Sequence, residues 1–522
     1  MADLTHYDQK NLFGSDTFLS QLLEKDDLCF TVQREISPLV KDSDFEEMYR
    51  DGGRPPVSPR LLVLVLLMQF LESLSDRAAI RNLKFRLDWK IAFGLPVDFA
   101  GFHATTLVYF RERLISHEKS CLVFDKILEH LRICGLVKSK GKQRIDSTHV
   151  LAAVQELTRI ELLHETLRLF CESAAEVSSL MDDSLLKTQE KYIEKISSYR
   201  STAEEKAELI RQAGLAMRSF IEWTLTLTSD NPLRLANHFI TLKLVFEQNF
   251  TDKGSSPELI KVATGKGHIC NPHDPDAEYA NKGKKSWLGY KVQVAETVNS
   301  EGIQNFITHI ELETATSFDG NCVEKVIAAL ESKQIVPAEL YGDTHYNTSE
   351  NIELLQVKNI DLKGEVIPIT NHKQEKDLGF NIQLEKQSVI CPAGIESKHF
   401  HVDPSGRVKA SFPKLACLKC QRRDICQPQP RGKIFEQRPE NTVLTLRRKK
   451  MKDPDYKKDL HHRNGVEGTI SGLVRGQKLR KCRYKGKAKS QLQTKMIGAA
   501  ANVSRLAAYR WRENRAKEAK CA

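Results

Sequence analysis

The sequence lacks an apolar run long enough to cross a bilayer, and it lacks a secretory signal. The most apolar run, Leu61–Leu71, is about half the length that a membrane-spanning helix needs. The first 20 residues contain no charged start followed by an apolar core. No internal repeat is visible either. We therefore expect a cytoplasmic protein without membrane contact, in which the 12 cysteines are reduced.

The positive charge is concentrated near the end of the chain. The 522 residues predict two to four domains, and 40% apolar with 28% charged residues is typical of a soluble globular protein. The net charge is +11, but the segment Arg475–Ala522 alone carries 15 Lys or Arg and two Glu. The remaining chain is therefore close to neutral, and the basic segment predicts a polyanionic partner. A solvated tail is the alternative interpretation.

Residues 1–135 predict a region made only of helices. Ser58 and Pro59 are typical of a helix start, and a second helix is predicted from Asp76 to about Phe85. Short helices with basic residues favour a DNA-binding module of the helix-turn-helix type, with a plain helical bundle as the alternative. The basic residues concerned are Arg77, Arg81, Lys84, Arg86, Arg111 and Arg113.

Beyond residue 140 the pattern predicts a mixed sheet. Arg144–Val150 predicts a strand, and the long helical stretch at about 151–265 predicts an insertion that serves as a spacer or a dimerisation arm. Gly289–Ala295 and Ile303–Glu311 alternate in polarity and predict a hairpin. Strands then alternate with helices, so we expect helices to cover the sheet.

Three acidic residues form the candidate site. Asp146 and Asp343 each end an apolar run, and Glu467 follows Arg463 by four residues, so these last two share a face of a helix. Strand ends that meet at one edge of a sheet would bring the two Asp close together. Clustered carboxylates are costly unless a cation neutralises them, and Mg²⁺ prefers oxygen ligands. The acids therefore predict a two-metal site for phosphoryl transfer, with ordinary turn and cap residues as the alternative.

The motifs around these acids resemble those of insertion-sequence transposases of the DDE type. The motifs are Asp146-Ser-Thr-His-Val, Asp274-Pro-Asp-Ala, Trp287-Leu-Gly-Tyr-Lys-Val, Gly342-Asp-Thr-His-Tyr and Arg463-x3-Glu467-Gly. Further motifs resemble the N-terminal helical domain of the same group, namely Ser75-Asp-Arg-Ala, Asp88-Trp-Lys, Gly94-Leu-Pro and Phe110-Arg-Glu-Arg-Leu. The resemblance covers most of the chain in the right order.

The resemblance implies a mixed α/β fold with an RNase H-like core. The implied domains are a helical DNA-binding domain (1–135), the first part of the core (140–375, with the helical insertion at about 151–265), a Cys-rich zinc-binding insertion (380–440) and the last part of the core with a basic C-terminal helix (441–522). Asp146, Asp343 and Glu467 would be catalytic and bind two Mg²⁺ or Mn²⁺ ions.

The resemblance also implies partners and an activity. A homodimer on DNA, associated with the nucleoid, would bind the terminal inverted repeats of its element. It would cleave the DNA strands there and transfer them to target DNA. Two alternatives remain open at this point. One is a metal-dependent DNA nuclease without joining activity, and the other is a catalytically silent, zinc-containing DNA-binding protein.

The helix that carries Glu467 departs from the family pattern Tyr-x2-Arg-x3-Glu-x6-Lys. Leu460 stands in the place of the Tyr and Val474 in the place of the Lys. We expect Arg475 or Lys478 to replace the Lys as a phosphate contact. The full set of expected DNA-binding residues is Arg463, Arg475, Lys478, Arg447, Arg448, Lys449 and Lys450.

Four cysteines have the spacing of a structural zinc site. Cys391 precedes Pro-Ala-Gly, and Cys417, Cys420 and Cys426 follow as Cys-x2-Cys-x5-Cys. Thiolates at such spacing can close a tetrahedral site for one Zn²⁺ ion, which leaves no open position for chemistry. The surrounding segment is polar, so we expect metal binding to supply its stability. Four free buried cysteines are the alternative.

Overall fold

The structure is a computed structural model that describes most of the chain. The described residues are 23, 27–49, 57–193, 202–251, 257–260, 266–283, 285–300, 302–367, 379–403, 407–437 and 440–521. The predicted N-terminal region and the predicted Cys-rich insertion each extend in part outside these ranges. No helix within them is both long and apolar enough to cross a membrane.

The N-terminal region consists of helices, as the sequence predicts. Its α-helices are α1 (Leu28–Thr31), α2 (Pro59–Leu71), α3 (Asp76–Phe85), α4 (Leu87–Phe93), α5 (Thr105–Ser116) and α6 (Leu122–Ile133). Short π or 3₁₀ turns cover Val32–Ile36, Ser37–Leu39 and Asp42–Met48. The hydroxyl oxygens of Ser58 and Ser75 accept backbone N–H groups in the first turns of α2 and α3, so both helices begin where their capping residues predict.

Strand β1 (Lys142–Leu151) follows, and then a helical insertion with its own core. The insertion contains α7 (Arg159–Ser173), a 3₁₀ turn (Ala175–Leu180), α8 (Asp183–Ile193), α9 (Ala203–Thr226), α10 (Pro232–Leu235), α11 (Asn237–Asn249) and the short ribbon of β2 (Phe250–Thr251) and β3 (Glu258–Leu259). Phe170, Phe220 and Leu242 are at its centre, in an apolar cluster separate from the main core.

The central sheet is mixed. Its further elements are β4 (Glu278–Lys282), β5 (Lys285–Val298), β6 (Ile307–Thr314), a 3₁₀ turn (Asp319–Cys322), α12 (Val323–Ser332), β7 (Glu339–Tyr341), α13 (Ser349–Val357) and β8 (Asp361–Lys363). The strand order is β4-β5-β1-β7-β8, with β6 also on β5. β5 is antiparallel to β1, β4 and β6, whereas β1, β7 and β8 are parallel. The predicted mixed α/β class is confirmed, and the sheet is consistent with an RNase H-like core.

The Cys-rich segment forms a small unit of strands and short helices. Its elements are β9 (Asn381–Gln383), β10 (Ser388–Ile390), β11 (His399–Val402), β12 (Val408–Ser411), α14 (Lys414–Leu418), α15 (Arg423–Cys426) and β13 (Ile434–Gln437). Phe380, Phe412 and Phe435 pack together within it. The polar composition of the segment gave no sign of this small core, because three widely spaced Phe side chains meet only in the folded unit.

The chain ends in helices that return to the main core. They are α16 (Glu440–Lys450), α17 (Pro454–Leu460), a 3₁₀ turn (His461–Asn464), α18 (Gly465–Arg475) and α19 (Lys487–Cys521). α19 packs against α2, α6 and β6, and its buried side chains include Leu492, Met496 and Leu506. Apolar residues of the N-terminal helices, the sheet and α19 form one continuous core. The N-terminal helices therefore pack directly against the main body and share its core.

Candidate active site

Asp146 lies on β1, and Asp343 lies two residues after the end of the neighbouring strand β7. β1 and β7 pair in parallel, and their register ends with Arg144 opposite Tyr341. Each acid follows this last pair by two residues, at the same end of the sheet, where neighbouring strands are about 4.8 Å apart. The charge of Asp343 also raises the pKa of Asp146, so the two carboxylates are near each other.

Several hydrogen bonds hold the loop that carries Asp343. The backbone N–H of His345 donates to Asp343 Oδ1 (2.8 Å), and Asn347 Nδ2 donates to the carbonyls of Gly342 (3.1 Å) and Asp343 (2.9 Å). Gly364, just after β8, packs so close that an added Cβ would lie 2.0 Å from Asn347 Nδ2. Only glycine fits there, and the Asp343 backbone is therefore fixed against the sheet.

Asp146 is in an environment that opposes its negative charge. Burial raises the pKa of Asp146 to about 6, and the nearby charges of Asp343 and Asp319 act in the same direction. The backbone N–H of Ser147, which donates to Asp146 Oδ1 (2.7 Å), and the cation of Arg463 lower the pKa and offset part of the effect. A carboxylate in this position gains from a cation beside it.

Arg463 connects Asp146 with Glu467. Its Nη2 atom is 3.9 Å from Asp146 Oδ2 and 3.4 Å from Glu467 Oε1. Because both distances start at the same nitrogen, the two oxygens are at most 7.3 Å apart, which is the sum of the two. The Glu467 side chain is 63% exposed, compared with 16% for Asp146 and 26% for Asp343. Glu467 therefore faces solvent at the rim of the site.

A buried ionic network positions the helix of Glu467. Glu296 on β5 is fully buried, and it binds Arg144 of β1 (2.6 Å), Arg505 of α19 (2.9 Å) and the hydroxyl of Thr469 in α18 (2.6 Å). The start of α18 approaches Arg144 so closely that a Cβ on Gly465 would meet its guanidinium at 2.0 Å. The orientation of α18 on the sheet thus depends on residues from three other elements.

The sequence analysis missed two acidic residues near the site. Glu296 has a visible signal, because it is a lone carboxylate in the otherwise largely apolar end of β5. Asp319 is the first residue of a 3₁₀ turn, where acidic residues are common. The sequence around it therefore does not indicate a role at the site. In the structure Asp319 Oδ1 binds Lys291 (3.1 Å) and Gln293 (3.0 Å) of β5.

A cleft of about 580 Å³ opens beside Asp343. We call it the Asp343 cleft. One wall consists of the residues that follow β7 and β8, including Gly342, Asp343 and Gly364. The opposite wall is formed by α17 and the turn after it, from Lys457 to Asn464. Arg463 belongs to this second wall, so the cleft and the acidic residues share one region of the molecule.

The four cysteines of the predicted zinc site line one small pocket of about 30 Å³. Backbone N–H groups point at two of the sulfur atoms, from Arg422 to Cys420 (3.4 Å) and from Lys433 to Cys417 (3.4 Å). Among the described residues, however, no three of these sulfur atoms lie within 4.8 Å of one another. The same holds for the oxygens of Asp146, Asp343 and Glu467.

A third group of ligand-type side chains has a structural explanation. Atoms of Glu35, His130 and Cys134 lie within 4.8 Å of one another. Arg510 of α19 donates to both carboxylate oxygens of Glu35 at 2.9 Å and approaches the Cys134 sulfur at 3.7 Å. A guanidinium thus already neutralises this cluster, which connects α19 to the N-terminal helices.

The basic residues after 440 divide into buried and exposed ones. Arg447 is buried and binds the Tyr456 hydroxyl (2.7 Å), and Arg448 donates to the Ile367 carbonyl (3.0 Å), so both contribute to packing. The predicted DNA contact therefore rests on the exposed ones, Lys449, Lys450, Arg475 and Lys478. Several cations of the basic C-terminal segment are also used internally, among them Arg480, Arg483, Lys495, Arg505 and Arg510.

The basic residues of the N-terminal helices divide in the same way. Arg111 is buried and binds Asp76 (2.6 Å), and Arg86 pairs with Glu72 and Asp88. By contrast, Arg77, Arg81 and Lys84 lie exposed on one face of α3 and make no ion pair within the described part of the chain. We call these three residues the α3 basic face.

Two family models match the chain. A model described as a transposase DDE domain matches residues 390–507, and a model described as a transposase domain (DUF772) matches residues 18–113. These two matches indicate an insertion-sequence DDE transposase. No curated protein and no solved structure matches it.

The family assignment gives the transposase a substrate and a general chemistry. A DDE transposase acts on DNA by cleaving and transferring strands, and it depends on divalent metal ions. The DDE match includes Glu467 and the four pocket cysteines, whereas Asp146 and Asp343 lie between the two matched segments. The assignment of these two residues to the chemistry therefore depends on their geometry.

Proposed function

We propose that this transposase cleaves DNA at the ends of its element and joins those ends to target DNA, at a site formed by Asp146, Asp343 and Glu467. The observation that supports this most is the register of β1 and β7. It brings β1, which carries Asp146, next to the strand that leads to Asp343, and the charge of Asp343 opposes ionisation of Asp146. A pair of this kind is favourable when cations are bound to it.

The residues at this site fit Mg²⁺ or Mn²⁺. All three are carboxylates, the oxygen ligands that these hard cations prefer, and Asp146 and Asp343 are partly buried and fixed by backbone contacts. Two bound ions would activate the attacking water or 3′-hydroxyl and stabilise the leaving oxygen. Glu467, at the exposed rim, would complete the ligand set from the side of the incoming DNA.

The protein's own side chains supply positioning and neutralisation. Arg463 is within 4 Å of both Asp146 and Glu467, so it lowers the repulsion between acids and presents a cation to a DNA phosphate. Glu296 holds α18 in place through Thr469 and thereby sets the position of Glu467. No covalent enzyme intermediate is required for this chemistry.

Surfaces away from the acids would bind the rest of the DNA. We assign the element ends to the α3 basic face and to the exposed cations Lys449, Lys450, Arg475 and Lys478, because they are exposed and make no ion pair with the described residues. The N-terminal helices would thus be the DNA-binding part of the chain. Pairing of two element ends implies a homodimer on DNA.

The four pocket cysteines would hold one structural zinc ion. Backbone N–H groups already point at two of the sulfur atoms, which is favourable when those sulfurs are thiolates. Binding would require the four sulfurs to draw closer than they are. The ion would then add a cross-link to the small core around Phe435.

The test is cleavage and joining of a plasmid that carries the DNA flanking the gene, with Mg²⁺ or Mn²⁺. Wild-type protein should cut and join, and Asp146→Asn or Asp343→Asn should lower both rates by at least roughly 10³-fold, because loss of metal-based stabilisation costs several kcal/mol. The matched control is Glu353→Gln, an exposed carboxylate on α13, which should keep both activities.

Each other result favours a different function. Cutting without joined products would support the nuclease alternative. DNA binding without cutting in either metal would support a silent DNA-binding protein. Equal activity of wild type and Asp343→Asn would contradict the proposed site.

A further inference from the structure

The Asp343 cleft has two walls of different chemistry. The wall after β7 and β8 carries the acid Asp343, which belongs to the proposed catalytic site. The wall from α17 carries Lys457, His461 and Arg463. At about 580 Å³ the cleft is within the size range of sites that bind small organic molecules or single units of a polymer.

Lys457 is an uncommitted cation on this wall. It is exposed and makes no ion pair with any part of the chain that the structure describes. The neighbouring Lys363, by contrast, is held by Asp459 at 2.6 Å and by Glu339 at 3.0 Å. Asp459 thus anchors the inner face of α17 to the sheet, and Lys457 is left at the cleft.

The remaining lining suits a nucleotide better than a small free anion. His461 is four residues after Lys457, so both can face the cleft from one side of the helix and its continuing turn. Leu460 and Met451, which are both partly buried, add apolar surface to the lining. A phosphate group would meet the cations, and a deoxyribose would meet the apolar side chains.

We propose that the Asp343 cleft binds the DNA nucleotide next to the scissile phosphate, with Lys457 and His461 on its phosphate group and Leu460 and Met451 against its sugar. This inference rests on the proposed function, since it needs the scissile phosphate to lie at Asp146 and Asp343. It adds a binding subsite that orients the strand, and it explains why the position of Leu460 carries an apolar residue.

The test combines a protein change with a change in the DNA. Wild type, Lys457→Ala and the control Lys458→Ala are bound to end DNA without added Mg²⁺ or Mn²⁺, so that cleavage plays no part. Lys458 is the next residue, equally exposed, and does not line the cleft. Each protein is also measured on DNA in which single phosphates near the cut site are replaced by neutral methylphosphonates.

We expect Lys457→Ala to weaken binding roughly tenfold, as for loss of one charge-assisted contact, and Lys458→Ala to change it less than twofold. At one phosphate within two nucleotides of the cut, the methylphosphonate should weaken wild type but leave Lys457→Ala unaffected. Leu460→Trp, which narrows the cleft and keeps all charges, should also weaken binding.

Two results would overturn the subsite. One is additivity of Lys457→Ala with the methylphosphonate at every phosphate tested, and the other is normal binding by both Lys457→Ala and Leu460→Trp. Because binding is measured without metal, these results differ from failure of the proposed function. The proposed function would fail if wild type did not cut the DNA in Mg²⁺ or Mn²⁺. A separate cleavage assay on the same DNA measures this.

Discussion

Asp343 lies two residues beyond the end of β7, the strand that pairs with β1 of Asp146, and its charge helps to raise the pKa of Asp146. Strand pairing thus brings two carboxylates near each other from residues almost 200 apart in the sequence.

Metal binding should depend on this pair even without DNA. Asp343→Asn should weaken Mn²⁺ binding at least roughly tenfold, because the amide keeps the shape but supplies neither the charge nor the second oxygen ligand. Isothermal titration of Mn²⁺ into the protein without DNA measures this directly. Glu353→Gln serves as the control and should bind as wild type does. Equal affinities for wild type and Asp343→Asn would exclude Asp343 as a ligand.

Glu296 should be essential for stability. Glu296→Ala leaves the cations of Arg144 and Arg505 without their buried partner, so we expect the free energy of unfolding to fall by roughly 3–5 kcal/mol. Urea unfolding followed by circular dichroism checks this. Removal of the exposed partner in the Glu129–Arg132 pair, Glu129→Ala, should have little effect. A small effect of Glu296→Ala would mean that water or another group replaces the carboxylate.

The ion pair between Glu35 and Arg510 should make stability depend on acid pH. Burial alone would raise the pKa of Glu35, but hydrogen bonds from His130 and Arg510 outweigh it and lower the pKa to about 2 from the ordinary 4.5. A lowered pKa stabilises the fold above the ordinary value, and this stabilisation is lost as the pH falls from about 4.5 toward 2.

The stability difference between wild type and Glu35→Gln should therefore shrink by roughly 2–3 kcal/mol between pH 5 and pH 2. Urea unfolding at a series of pH values measures it. Glu353→Gln should show no such trend. A difference that stays constant with pH would show that the contact between α19 and the N-terminal helices does not stabilise the ionised carboxylate.

The α3 basic face should contribute to DNA affinity and to its salt dependence. Replacement of Arg77, Arg81 and Lys84 by Ala should lower the slope of log affinity against log salt by about 2–3, close to 0.9 for each phosphate contact. Fluorescence anisotropy with end DNA at several salt concentrations gives the slope. Arg132→Ala removes an exposed but paired cation and should leave the slope unchanged. An unchanged slope in the triple variant would place the DNA elsewhere.

The Cys-rich unit should contain about one zinc ion per chain. Cys420→Ser should reduce that content toward zero, because a tetrahedral thiolate site needs all four sulfurs. Metal analysis of the purified protein measures the content, and a chelator should loosen the unit around Phe435 as judged by proteolysis. Cys121→Ser, outside the unit, is the control. A wild-type protein free of zinc would leave four reduced cysteines around a small pocket.

Local signals predicted much of the secondary structure but not the packing of the domains. Ser58 and Ser75 begin helices because a side-chain oxygen caps them, which is a property of a few adjacent residues. The strand predicted at Arg144–Val150 lies within β1. The packing of the N-terminal helices into the main core could not be predicted from local signals. It depends on α19, which starts more than 350 residues after the last of these helices.

The sequence also did not predict which individual charged side chains are buried and which are exposed. Arg447 and Lys449 belong to one basic run, yet the first is buried against Tyr456 and the second is exposed. On a helix, neighbouring residues point in different directions, and which direction faces the body depends on what the helix packs against. Composition alone therefore overstated the charge that is available to DNA.

The sequence by itself determined the chemistry that the chain can offer, since the three acids, the four cysteines and the motifs of an insertion-sequence transposase are present in its linear order. Only the tertiary structure decided that Asp146 and Asp343 are neighbours, that Arg463 lies between Asp146 and Glu467, and that Lys457 faces a cleft. The physical reason is that strand register and helix packing are fixed by the summed burial of many residues across the whole chain, whereas a motif records only which side chains are available.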